Sequence, residues 1–119
     1  MPAAVLEAEP VAFEKLGLDP ALILGVEDRG FTASTPIQTA VYPIVMEGRD
    51  LIASAETGSG KTAAYLLPTL NRLLRRPQPT GAATSRLTRV LVLAPTRELV
   101  VQIEDDLQGF LYHTGLLSA

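Results

Sequence analysis

Ala55-Glu56-Thr57-Gly58-Ser59-Gly60-Lys61-Thr62 is the stretch that decides the fold of this 119-residue chain. It follows a short apolar run, Leu51-Ile52-Ala53, and opens a leucine-rich segment of helical period from Ala63 to Arg75. Strand, glycine loop and helix in that order make the phosphate-binding loop of nucleotide proteins. The glycines let backbone N–H groups turn inward around phosphate oxygens, and the positive end of the following helix adds attraction. In that arrangement Lys61 is placed to reach the β- and γ-phosphates, and the Thr62 hydroxyl to ligate Mg²⁺. The generic pattern asks for Gly where Ala55 stands. The competing reading is a Gly/Ser turn that happens to precede a lysine. The flanking strand and helix favour a nucleoside triphosphate site.

Composition sets the frame around this loop. Hydrophobic residues make up 47% and charged residues 19%, which suits a soluble globular chain of one domain or less and argues against disorder. No apolar run approaches the ~18 residues that a membrane span needs. Met1 to Pro10 carries Glu7 and Glu9 and no basic residue, so it does not read as a secretory signal. With no cysteine there is no disulfide framework or thiolate metal site, and a cytoplasmic location is expected. A net charge of −3 means that any nucleic-acid contact must come from local Lys and Arg groups.

Outward from the loop, the pattern predicts helix, helix, strand, helix, strand, helix. Residues 1–10 read as a flexible lead-in. Asp19-Pro20 starts a helix, Asp as N-cap and Pro in the first turn, and Gly30 stops it. Thr35-Pro36 starts a second, with Ile37, Ala40, Val41, Ile44 and Val45 on one face and Gly48 as its end. Asp50 to Ser54 is the first expected strand. The helix after the loop buries Leu66, Leu67, Leu70, Leu73 and Leu74, with Pro68 expected to kink it or free a carbonyl. Arg76 to Arg89 reads as a surface loop. Val90 to Ala94, continuously apolar, reads as a strand buried on both faces. The last helix, Arg97 to His113, carries Leu99, Ile103, Leu107 and Phe110 on one stripe. This is a βαβα unit with a helical preface, an α/β fold of parallel strands with flanking helices.

Two further constellations carry chemistry. Pro95-Thr96-Arg97-Glu98-Leu99 lies where the second strand meets its helix, and ligands of open α/β sheets collect outside the carboxyl ends of strands. Thr96, Arg97 and free helical N–H groups could hold a nucleic-acid phosphate. Equally, Thr96 could be a plain N-cap with Glu98 favouring the helix dipole. In Gly30 to Gln38, Thr35-Pro36-Ile37-Gln38 is a capping box in which Gln38 bonds back to the N-cap amide. Gln38 could also read the N6/N7 edge of adenine, since a carboxamide donates and accepts side by side. Phe13 and Phe31 are open to the same two readings, core residue or base-stacking platform.

Together these segments resemble the N-terminal part of a DEAD-box ATP-dependent RNA helicase. Gly30–Gln38 is similar to the family's Q motif, with Phe13 as its isolated upstream aromatic. Ala55–Thr62 resembles motif I, where the family favours Ala first, and Pro95–Leu99 with Gln102-Ile103 resembles motif Ia. The resemblance implies a partial RecA-like P-loop domain, with residues 11–39 as the Q-motif region and 40–119 as a truncated helicase ATP-binding domain. It implies that Phe13 stacks on adenine and Gln38 reads its edge, and that Lys61 and Thr62 hold ATP and Mg²⁺ for hydrolysis. It further implies that Pro95, Thr96 and Arg97 touch the RNA backbone without regard to sequence. Ser34 replaces the usual Pro, Glu56 the usual Gln and Val100 the usual Ala, and Glu56 places a negative charge near the triphosphate. The 119 residues hold no Asp-Glu-Ala-Asp box, Ser-Ala-Thr motif or second RecA-like domain. The expectation is a fragment that binds ATP weakly at best, neither hydrolyses it nor unwinds RNA, and is molten or aggregation-prone alone. The rival readings are a compact P-loop kinase or ATPase and a non-enzymatic nucleotide- or RNA-binding regulator.

Overall fold

The computed structural model describes residues 9–56, 58, 60–76 and 87–119. After a 3₁₀ turn at Phe13–Leu16 come four helices: α1 (Pro20–Asp28), α2 (Pro36–Met46), α3 (Lys61–Arg75) and α4 (Arg97–Leu111). Their ends follow the local grammar expected of them. The Asp19 carboxylate accepts from the Ala21 N–H at 2.9 Å, capping α1. Two helices stop in the same way: Gly30 (φ +84°) and Gly48 (φ +78°) turn left-handed just past α1 and α2. Each lets the next residue donate back, Phe31 N–H to the Val26 carbonyl and Arg49 N–H to the Ile44 carbonyl, both at 3.2 Å. This is the double closure that a C-terminal glycine allows.

The expected leucine stripe of α3 is inward. Leu66, Leu67 and Leu70 are buried, Leu73 and Leu74 pack at the rim, and the helix runs unbroken through Pro68. These side chains meet Phe13, Leu18, Leu22, Val26, Ile103 and Phe110 in one core. Helices α1 and α4 approach closely at Gly25, where a Cβ would lie 2.7 Å from the Gly109 carbonyl oxygen. Across that seam Arg29 pairs with Asp106 at 2.5 Å and Asp105 at 3.4 Å, its guanidinium 5.8 Å from the centre of the Phe110 ring.

The sheet differs from expectation. Among the described residues no strand ladder forms, and the one β-bridge is the isolated antiparallel pair Ala12–Ala33. Asp50 to Ser54 and Val90 to Ala94 adopt no regular structure. The second is also not buried on both faces. Val92 and Ala94 pack on the helical core, whereas Leu91 and Leu93 are 76% and 85% exposed. That alternation is the period of a strand with one covered face. Ile52 is 87% exposed while Leu51 and Ala55 pack inward. The physical reason is pairing: a strand takes its hydrogen bonds from a neighbour about 4.8 Å away, and these segments have none among the described residues. The α/β expectation is thus met in its helices and corrected in its sheet. Most of the predicted loop Arg76 to Arg89, and Met1 to Ala8 of the lead-in, lie outside the described residues.

Candidate nucleotide site

The loop between Leu51 and α3 is shaped by two glycines. Gly58 and Gly60 have φ of +85° and +87°, a backbone region that costs other residues. Gly60 is doubly constrained, because a Cβ there would meet the Gln38 Nε2 at 2.5 Å and the Thr35 hydroxyl at 3.0 Å. It caps α3, and its carbonyl accepts from both the Ala64 N–H at 3.1 Å and the Gln38 Nε2 at 3.1 Å. Lys61 follows, exposed, as the first helical residue, with Thr62 half-buried behind it. The first turn of α3 carries no acidic residue, so its amides and dipole face the loop uncompensated. Ala55 packs on Ile37, Val41 and Ala64, fixing the entry to the loop, and Glu56 is exposed. Thr57 and Ser59 lie outside the described residues. Burial pushes the Tyr65 phenol above its ordinary value, against an opposing hydrogen bond from the Thr62 side chain.

Gln38 joins the second helix to this loop. Its Oε1 accepts from the Thr35 N–H at 3.0 Å, the reciprocal half of the predicted capping box. Its Nε2 reaches Gly60, a contact that sequence alone does not show. A carboxamide offers two N–H donors and two acceptor positions. One of each is used here, leaving one of each, although the residue is buried. The Thr35 hydroxyl has no hydrogen-bond partner.

Around it lies a polar knot that the sequence hides. Val11 N–H donates to the Ser34 hydroxyl at 3.0 Å, and Ser34 N–H to the Val11 carbonyl at 2.8 Å. Ser34 and Thr39 hydroxyls sit 2.6 Å apart, and the Thr39 hydroxyl is 3.2 Å from both the Glu9 and Thr35 carbonyls. Ser34, which stands where the resemblance led to Pro, thus uses both a hydroxyl and an N–H that proline lacks.

The structure does not bring Phe13 to this loop. Its ring is 2% exposed, in the core against α1 and α3, and offers no face to a base. Phe31, in the segment between α1 and α2, is exposed. At α4, the Thr96 hydroxyl accepts from the Leu99 N–H at 3.2 Å, the plain N-cap. Pro95, Thr96 and Arg97 are exposed beside an open cleft of about 440 Å³, completed by Ala94, Val100 and Val101. Among the described residues no helix is long and apolar enough to cross a membrane, and no three His, Cys, Asp or Glu residues cluster as for a metal ion.

Comparison with known proteins points one way. The DEAD/DEAH box helicase family matches residues 35–119. The ATP-dependent RNA helicase RhlB of Vibrio cholerae is 43% identical over 107 residues, covering 90% of this chain and 24% of the relative. SrmB of Escherichia coli, also an ATP-dependent RNA helicase, is 45% identical over 104 residues, 87% of this chain and 22% of its own length. Among solved structures, the RNA helicase Prp28 from Chaetomium thermophilum bound to ADP superposes with a TM-score of 0.76 at 41% identity, over 91% of this chain and 26% of that one. The chain spans about a quarter of the length of these relatives.

Proposed function

Because the chain belongs to the DEAD/DEAH box helicase family, we propose that it forms the ATP-gripping part of an ATP-dependent RNA helicase. The observation that carries this is Gly60, held left-handed at the head of α3 with the Gln38 carboxamide on its carbonyl. Gly60 has no room for a Cβ, and the head of α3 presents its amides and Lys61 to an anion. Those features fit a nucleoside triphosphate. ATP and Mg²⁺ are the expected ligands: Lys61 neutralises the outer phosphates, and the Thr62 hydroxyl is the protein's oxygen for the metal. When bound, the metal neutralises charge that develops on the transferring phosphoryl group.

Adenine recognition falls to the remaining donor and acceptor of Gln38. With Phe13 in the core, the exposed ring of Phe31 is the better stacking platform. Thr96 and Arg97 serve the RNA backbone: a helix N-terminus with an exposed guanidinium suits a phosphate whatever the base. Phosphoryl transfer also needs an acidic group for the metal and water, and a cation for the transition state. Asp105 and Asp106 do not supply the acid, since both lie on α4 and meet Arg29. The 119 residues therefore bind ATP without turning it over, and RNA unwinding belongs to the longer architecture of the relatives. A cytoplasmic setting fits such a protein.

Fluorescent ATP titrated onto the chain, with Mg²⁺, tests this reading. Binding that weakens about tenfold or more in Lys61→Ala supports it, that being the order of one charge-assisted contact. Equal binding in the variant, or none in the wild type at millimolar ATP, contradicts it.

A further inference from the structure

Asn71 is 0% exposed, the most completely buried polar side chain among the described residues, and no reading of the nucleotide site uses it. It lies on α3 ten positions after Lys61, about 15 Å along the helix. Its Oδ1 accepts from the Asp19 N–H at 2.7 Å, and its Nδ2 donates to the Tyr42 hydroxyl at 2.9 Å. The Gly17 carbonyl oxygen is a second acceptor at 3.4 Å, and it also accepts from the Arg75 guanidinium one turn further on. One carboxamide therefore joins α3 to the N-terminus of α1, to the left-handed turn at Gly17 and to α2. Burial raises the Tyr42 phenol above its ordinary value, so the hydroxyl stays neutral, and Arg75 and the Asn71 hydrogen bond oppose that shift only partly.

Tyr42 lies one turn after Gln38 on α2, and both are buried against α3. The two helices are thus tied at two levels: Gln38 to Gly60 at the head of α3, and Tyr42 to Asn71 in its middle. A third tie, from Arg72 to the Val45 carbonyl at 3.4 Å, closes the far end of α2. Helices packed by apolar side chains can slide and repack at small cost, whereas a directional bond in a dry interior fixes one arrangement. Gly60 tolerates no sliding, since the Gln38 amide already fills the space of its missing Cβ.

We propose that Asn71 is a positioning residue for the nucleotide site: it sets the register of α2 on α3 and so holds the Gln38 carboxamide against the Gly60 carbonyl. The proposal rests on the nucleotide reading above for its consequence, not for its geometry. Deleting the Asn71 bonds lets α2 relax by a fraction of an ångström, and the loop loses the contact that shapes its last glycine. Adenine selectivity falls with it, because the same carboxamide reads the base.

The test uses the chain with Asn71→Leu and, as the gentler change, Tyr42→Phe, which removes only the acceptor hydroxyl. Two readouts are taken: the NMR resonances of the Gly60 amide and the Gln38 side-chain amide without nucleotide, and the ratio of ATP to GTP affinity. The expected result is that both resonances shift towards a released side-chain amide, and that the ratio falls about tenfold in Asn71→Leu and less in Tyr42→Phe, the scale of one buried hydrogen bond. In a Gln38→Ala background Asn71→Leu then has no further effect on the ratio. If both variants melt lower while the resonances and ratio stay at wild-type values, Asn71 is a stability residue and the proposal is overturned. Additive loss in the Gln38→Ala background overturns it equally. Should Asn71→Leu fail to fold, the Gly60 shift in Tyr42→Phe decides. Should the wild type bind no ATP, the nucleotide reading fails while the resonances still judge the positioning claim.

Discussion

The helices α1 to α3 and the extended segments at residues 50–54 and 90–94 follow opposite rules. Each helix completes itself locally: Asp19 caps α1, Gly30 and Gly48 close two C-termini, and Gln38 bonds back to the head of α2. What remains open at the head of α3 is a set of amides that an anion can satisfy. The extended segments complete nothing alone. Leu91, Leu93 and Ile52 stand out towards solvent while Val92, Ala94 and Leu51 pack inward. The lesson is that the head of a helix can be shaped by caps and a glycine turn, whereas a sheet exists only by pairing. An exposed apolar strand segment without a partner is also an aggregation hazard.

The largest effect falls at the grip. Gly60→Ala adds a left-handed alanine and a clash with Gln38, costing about 3–4 kcal/mol in chemical denaturation. Gly58→Ala, whose Cβ meets nothing within 4 Å, costs only about 1 kcal/mol. Equal losses at the two glycines would mean that Gln38 does not shape the loop. Next comes the extended segment: Val92→Lys costs about 3 kcal/mol, while Leu93→Lys stays within about 0.5 kcal/mol and lowers aggregation. If Leu93→Lys proves the more damaging in a thermal melt, that face is covered and the contrast collapses. Ser34→Pro removes three hydrogen bonds from the knot over α2 and is expected to cost about 1–2 kcal/mol. No loss in urea unfolding would show that the knot adds nothing to the helical side. The smallest effect is at Glu56. Relieving one exposed like charge near the phosphates in Glu56→Gln tightens ATP about threefold at low salt, less at high salt.

Much of this was legible in the sequence, for reasons the comparison explains. Capping residues and terminal glycines act over four or five positions, so α1, α2 and the head of α3 could be read directly. So could the leucine stripe of α3, while the N-cap role of Thr96 is one of two readings that its sequence leaves open. Three features could not. The burial of Phe13 depends on α1 and α3 meeting, and an aromatic in a lead-in segment reads equally well as a platform. The Gln38–Gly60 contact joins residues 22 positions apart, and the Asn71 contacts join residues 29 to 54 apart, through polar side chains whose partners no local pattern names. The run Val90 to Ala94 read as doubly buried because its sequence asks for two neighbours. The described residues cover only one of its faces.

Backbone hydrogen exchange of the chain, with and without ATP and Mg²⁺, tests the central contrast most directly. The amides of α2 and α3 should be protected throughout, with Lys61 to Ala63 slowed further by ligand, while Val90 to Leu93 exchange freely in both states. Protection of Val90 to Leu93 equal to that of α3, or no slowing at Lys61 to Ala63 on adding ATP, would contradict the account.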